Sequence, residues 1–200
     1  MRDGAKNPTP LWLQDARNPY WFEYLPNQHV FYMQYNVVAD KDDEKLSAFF
    51  DRAFQEVEKQ PVEKLVIDIR RNNGGNGYLN WPLIYHIIRS DKINQKGKLF
   101  AIIGRLTFSA GTMCAVYLER HTSTIFVGEP TGGSPNSYGE HGEVTLPNSN
   151  IQVFVSTLYW QESDPRDKRP WIAPQVSTEL TSEDFRNNVD PAMEAVLKYK

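Results

Sequence analysis

The sequence predicts an α/β fold with a largely parallel central sheet. Three observations carry this prediction. Apolar runs of strand length recur at His29–Val38, Lys64–Arg70, Leu99–Ile103 and Thr124–Val127. Segments with helical spacing separate them, at Lys45–Lys59, Tyr78–Arg89 and Ser109–His121. The connections are short, as expected when parallel strands are joined by crossover helices.

The elements can be justified in order. Met1–Asn18 contains Gly4, Pro8 and Pro10 and reads as an irregular lead-in. Its first eight residues are polar and turn-rich, without the pattern of a signal peptide, and read as a linker. Pro19–Pro26 (PYWFEYLP) is aromatic and fits an edge strand or a segment packed across the domain. The expected division is a lead-in or linker over residues 1–28 and one core domain over residues 29–200. His29–Val38 is rich in β-branched and aromatic residues, the composition of a strand. In Lys45–Lys59 the apolar positions 46, 49, 50, 53, 54 and 57 form one helical face, and Pro61 stops the helix. Tyr78–Arg89 carries Pro82 in its first turn, where proline is tolerated. Glu143–Leu146 and Ile151–Tyr159 flank a Pro-Asn-Ser-Asn turn and predict a hairpin. Gln161–Pro170 is a charged loop, Pro174 begins an extended exit, and Ser182–Tyr199 ends in a helix.

Composition narrows the function. The 200 residues suit one domain, and 40% hydrophobic with 24% charged residues is ordinary for a soluble protein. A net charge of −3 without a basic block argues against nucleic acid as a partner. No apolar run approaches the roughly 18 residues of a membrane span. The single cysteine, Cys114, excludes an internal disulfide framework and a cysteine-rich zinc site. It lies in an apolar helical stretch and reads as a buried, inert thiol. No cofactor or metal is expected.

Three loops follow predicted strands, and in α/β sheets such loops line the ligand crevice. The first, Asp68-Ile-Arg-Arg-Asn-Asn-Gly-Gly, ends a buried strand on a carboxylate that needs partners, and Asp68 reads as a tether for the glycine loop. Gly74 and Gly75 allow main-chain N–H groups to turn into a cleft. No Gly-Lys-Ser/Thr follows, so this is not a phosphate loop. The second loop carries Ser109 at a strand-to-helix junction. There the hydroxyl is either a helix N-cap or a nucleophile assisted by unpaired N–H groups and the helix dipole. The third, Gly128–Gly139, is rich in Gly and Pro and leads to Glu140 and His141. Thr131, Ser134 and Asn136 in this loop, with Arg105 in the second, are the expected ligand contacts.

The segments strand–DIRRNNGG, strand–GRLTFSAGT–helix and strand–VGEPTGG, in this order and spacing, resemble peptidase family S41. This is the family of C-terminal processing (tail-specific) proteases, with the tricorn core protease as a relative. The resemblance covers about residues 29–200. It implies a ClpP/crotonase-like core of stacked ββα units, here with a hairpin and a C-terminal helix. It also implies a serine nucleophile at Ser109, with oxyanion donors at the backbone of Ala110 and at the Gly74–Gly75 turn. A peptide or protein substrate, a further N-terminal domain and an extracytoplasmic bacterial location are implied by the resemblance alone.

The pattern departs from the family at the base. Ser134 stands where processing proteases place a lysine, Gln34 where a tricorn-like histidine would be, and Gln175 at the usual aspartate. A serine hydroxyl or an amide cannot accept the proton near neutral pH. His141, with Glu140 and Glu143 beside it, is the candidate base in a His–Glu arrangement. His86, His121 and His29 read as structural. The leading expectation is a serine-type peptidase acting through a Ser109 acyl-enzyme. The alternative is a catalytically impaired S41-like module that binds a peptide or apolar ligand. A crotonase-like acyl-CoA enzyme would share only the fold, and no basic CoA site is visible.

Overall fold

In the computed structural model, residues 7–200 are described. The first six residues of the expected lead-in lie outside them. The chain runs α1 (Leu11–Gln14), β1 (Tyr20–Leu25), β2 (Val30–Tyr35), α2 (Leu46–Lys59), β3 (Lys64–Asp68), a 3-10 turn (Gly77–Asn80), α3 (Trp81–Arg89), β4 (Leu99–Ile103), α4 (Ala110–His121) and β5 (Ile125–Gly128). It continues with β6 (Asn136–Thr145), β7 (Gln152–Gln161), β8 (Val176–Ser177), α5 (Ser182–Arg186) and α6 (Pro191–Lys198).

The main sheet has the order β1-β2-β3-β4-β5-β8. β1 pairs antiparallel to β2, and every other pairing in this sheet is parallel. Because β2 to β5 follow one another in space, three crossovers of the same hand place α2, α3 and α4 on one face. Strand alternation then sorts the side chains. Phe31, Met33, Tyr35, Leu65, Ile67, Leu99, Ala101 and Ile103 pack with those helices. Val30, Tyr32, Val66, Phe100 and Ile102 face the other way, against Met193 and Val196 of α6. Burial on both faces is why these strands are continuous apolar runs rather than alternating ones.

Within residues 1–28, Leu11–Gln14 forms a helical turn and the aromatic segment Pro19–Pro26 forms the expected edge strand, with Tyr20 buried beneath α2, its ring 4.5 Å from that of Phe49. The aromatic density of PYWFEY serves this packing, and the sheet therefore begins before residue 29. The predicted hairpin is also longer than expected. β6 starts at Asn136, inside the third Gly/Pro-rich loop, and pairs through Asn136↔Gln161 to Thr145↔Gln152. The C-terminal helical segment is two helices, because Asn187–Asp190 interrupts it and Asp190 caps α6 by accepting from the Met193 N–H at 3.2 Å.

Candidate functional site

The three loops do meet at one edge of the sheet, and main-chain contacts lock them. The Phe108 N–H donates to the Asn72 carbonyl at 2.9 Å, joining the second loop to the first. The Gly132 N–H donates to the Thr107 carbonyl at 2.9 Å, joining the third to the second. Buried amides complete the frame. Asn72 Nδ2 donates to the Tyr35 carbonyl at 3.0 Å, and Asn80 Nδ2 to the Ala110 carbonyl at 3.0 Å. The buried Thr107 hydroxyl donates to the Ile69 carbonyl at 2.8 Å.

Ser109 stands at the centre of this frame, immediately before α4. It occupies the N-cap position, yet its hydroxyl makes no capping hydrogen bond. Its backbone has φ 50 and ψ −126, a conformation that a non-glycine residue adopts only under constraint from its surroundings. The side chain is exposed, while Ala110 behind it is buried. The simplest sequence reading, a routine N-cap, is therefore not what the structure holds. The position is a cap in location, with the oxygen left free.

Gly74 approaches this oxygen closely. A Cβ built on Gly74 would lie 2.8 Å from Ser109 Cβ and 3.1 Å from its Oγ. The Gly74 φ is 122 and the Gly75 φ is 132, both favoured only for glycine. The Gly74 N–H donates to Asn72 Oδ1 at 3.1 Å, so within the turn expected to supply donors it is the Gly75 N–H that has no acceptor among the described residues. The Ala110 N–H likewise has none. The Ala110 N–H opens α4 at its positive end, and Gly75 lines the same cavity as Ser109.

Two cavities open on either side of the serine. The larger, about 430 Å³, is lined by Gly75–Tyr78, Ser109, Met113, Glu140 and Trp160. The smaller, about 40 Å³, lies among Ser109, Met113, Ser134, Tyr138, Trp160 and Glu162. The hairpin is thus a wall of the cleft through Glu140 and Trp160. Glu162 Oε2 accepts from the Tyr117 hydroxyl at 2.6 Å. Burial, with Glu162 adding to it, raises the Tyr117 hydroxyl well above its usual range, so it remains a donor.

The remaining expected residues are distributed unevenly. His141 lies next to Glu140 on β6 but packs edge-on against Phe154, 4.9 Å between rings, and lines neither cavity. Ser134 lines the smaller cavity and donates to the Asn136 carbonyl at 2.8 Å. Asn136 is buried, with Nδ2 donating to the Asp164 carbonyl at 2.8 Å, and Thr131 donates to the Gly133 carbonyl at 2.8 Å. These two side chains pin the loop. Arg105 pairs with Glu129 at 2.9 Å and lines a different cavity with Trp12 and Arg71.

His86 pairs with Asp51, His121 lies beside Trp81, and His29 lies in the turn before β2. Gln34 faces away from α4 and contacts Tyr32 and Asn36. Gln175 Oε1 accepts from the Phe126 N–H at 2.6 Å. No histidine, lysine or arginine lines the two cavities beside Ser109.

Asp68 belongs to the opposite face of the sheet, as strand parity dictates. It is fully buried and accepts from Tyr32 at 2.7 Å and from Arg70 Nε at 2.9 Å. Arg70 then reaches Asp190 with two further bonds of 2.9 Å. Burial pushes the Asp68 carboxyl up, and the Arg70 guanidinium opposes that shift. Asp68 holds the loop to the C-terminal helix, as its tether role predicts. Sequence reading missed Glu162 as a cleft residue, because only the pairing of β6 with β7 carries it back to Ser109.

No family model matches this chain, and no curated protein matches its sequence. Solved structures do share its fold. A candidate peptidase from Parabacteroides merdae matches with TM-score 0.66 and 15% identity over 90% of this chain and 63% of that one. A candidate S41 protease from Bacteroides fragilis matches with TM-score 0.59 and 19% identity over 91% of this chain and 56% of that one. The photosystem II D1 C-terminal processing protease matches with TM-score 0.57 and 20% identity over 90% of this chain and 52% of that one. The chain therefore spans less than two thirds of each of these proteins, and the fold it shares with them is the α/β fold of S41 peptidases.

Proposed function

We propose that this chain is the core of a serine-type peptidase in which Ser109 is the acylated nucleophile. The observation that carries the reading is the Ser109 hydroxyl: exposed, uncapped, in strained backbone at the start of α4, and closely approached by the Gly74–Gly75 turn. In this reading a substrate carbonyl sits over Ser109. The hydroxyl oxygen attacks it, and the resulting oxyanion accepts hydrogen bonds from the Gly75 and Ala110 N–H groups. Preorganised donors of this kind typically contribute on the order of 10²–10³ in rate each. The positive end of α4 adds to the effect. The shared fold with S41 peptidases supports peptide as the substrate class.

The proton from Ser109 needs an acceptor. His141 is assigned that role because it follows Glu140 on the hairpin that walls the cleft. In the structure its ring rests on Phe154, so this role requires the hairpin to move when substrate binds. His141→Ala is expected to slow acylation. Acylation of that variant at the wild-type rate rejects His141 as the acceptor.

A second reading is favoured by one observation, the lack of any histidine or lysine among the residues lining the two cavities. Here the chain is a binding module that holds a peptide in the same cleft without cleaving it. A fluorophosphonate probe with mass mapping separates the two. Covalent labelling of Ser109 supports the peptidase reading, and its absence in folded protein supports the binding module.

A further inference from the structure

We propose that the cleft beside Ser109 selects peptides carrying a lysine or arginine side chain, held by Glu140 between Tyr78 and Trp160. The inference rests on the reading of this cleft as a peptide site, and adds to it the chemical class of the bound residue.

Charge is the first support. Each cavity flanking Ser109 carries one carboxylate, Glu140 in the larger and Glu162 in the smaller. Neither cavity is lined by a cationic side chain. Glu140 has no side-chain hydrogen bond or ion pair among the described residues. Arg120 approaches Glu162 only through a bond to the main-chain carbonyl, and the Glu162 carboxylate meets a neutral hydroxyl of Tyr117. The potential in the cleft is therefore negative, and cavity walls concentrate such a field.

The aromatic rings are the second support. Tyr78 is 67% exposed beside the nucleophile, an unusual place for a large ring with no partner to bury it. Its ring meets that of Trp160 nearly edge-on at 6.4 Å. Both line the cavity that Glu140 lines. Tyrosine and tryptophan faces with a nearby carboxylate attract an ammonium or guanidinium group. The long apolar stem of lysine or arginine would cover Met113, while its charged head stays at the open side.

Size distributes the side chains. The cavity of about 430 Å³ accommodates a long side chain, while the one of about 40 Å³ admits only a small group. A basic residue therefore enters the Glu140 side and a small residue the Ser134 side. A neutral long side chain would bury Glu140 without a counter-charge, and an acidic one would be repelled.

The test uses the full chain with Ser109→Ala, which cannot be acylated, and isothermal titration at low salt. A lysine is walked through an alanine hexapeptide, and each lysine is replaced in turn by norleucine or glutamate. At one position lysine should bind about tenfold tighter than norleucine, with glutamate weakest. Glu140→Gln should bring lysine and norleucine within about twofold. Glu140→Lys should reverse the order in favour of glutamate. Glu140 is exposed, so matching circular dichroism is expected for both variants.

Equal binding of lysine and norleucine at every position overturns the proposal. So does failure of any peptide to bind, or a lysine preference that survives Glu140→Gln. Fluorophosphonate labelling of the unmutated chain is scored separately. A lysine preference without labelling rejects acylation at Ser109 and keeps the basic-peptide cleft. Labelling without a preference rejects the specificity and keeps the nucleophile.

Discussion

Strand β3 and the loop after it feed two polar clusters, one on each face of the sheet, and the two differ in whether their polar atoms have partners. On the α6 face, Asp68, Arg70, Asp190 and Tyr32 are saturated with one another. On the α4 face, the Ser109 hydroxyl and the N–H groups of Gly75 and Ala110 have none among the described residues. Each cluster draws on one run of sequence, Asp68 to Gly75: Asp68 and Arg70 on the α6 face, Gly75 on the α4 face. Buried and satisfied groups hold a fold together; exposed and unsatisfied groups in a rigid frame are available for chemistry.

The comparison can be broken most forcefully on the saturated side. Asp68→Ala leaves Arg70 with half its counter-charge and Tyr32 with Gln34 as its remaining acceptor, in a fully buried cluster. Loss of one partner from such a pair costs about 3–5 kcal/mol. Chemical denaturation should show this as a large drop in midpoint, with Ser109 labelling retained in whatever fraction stays folded.

Gly74→Ala acts on the boundary between the clusters. The new Cβ would stand 2.8 Å from Ser109 Cβ, at a φ of 122. A stability loss of about 1–3 kcal/mol is expected, from the unfavourable φ and the clash. The same substitution should abolish probe labelling in the folded protein. Normal labelling would mean that the turn does not set the serine.

Ser109→Ala probes the unsatisfied side. Replacing an ordinary N-cap serine by alanine costs about 1 kcal/mol. Here the hydroxyl caps nothing, so the change in unfolding free energy should stay within about 0.5 kcal/mol. A loss of 1 kcal/mol or more would restore the capping role.

The smallest effect is expected at Cys114, five positions along from Ser109 and inside α4. Burial pushes its thiol up to about 12. It should not react with an aromatic disulfide reagent at pH 8 in the folded protein, and should react fully once unfolded. The buried thiol inside α4 would then be inert, while the hydroxyl just before the helix is exposed.

Much of the fold was legible from the chain. Apolar runs flanked by helical spacing placed β2 to β5 and α2 to α4 within three residues, because a strand buried on both faces shows itself as continuous hydrophobicity. Ser109, Gly74 and Gly75 were legible for a different reason: a strand-to-helix turn and paired glycines are local features. What the sequence concealed was long-range. Glu162 reaches the cleft only because the β6–β7 pairing brings the end of β7 back to it, more than fifty residues from Ser109 in sequence. Asn136 and Thr131 lie in the right loop, but their side chains hold that loop rather than face a ligand, and only the hydrogen-bond partners reveal this.

The central claim is that the free hydroxyl of Ser109 is a nucleophile. The most direct measurement is intact-mass and peptide mapping of the folded chain after fluorophosphonate treatment, beside Ser109→Ala. The account predicts one adduct per chain, on Ser109, absent from the variant. No adduct on folded protein, or an adduct that persists in Ser109→Ala, would contradict it.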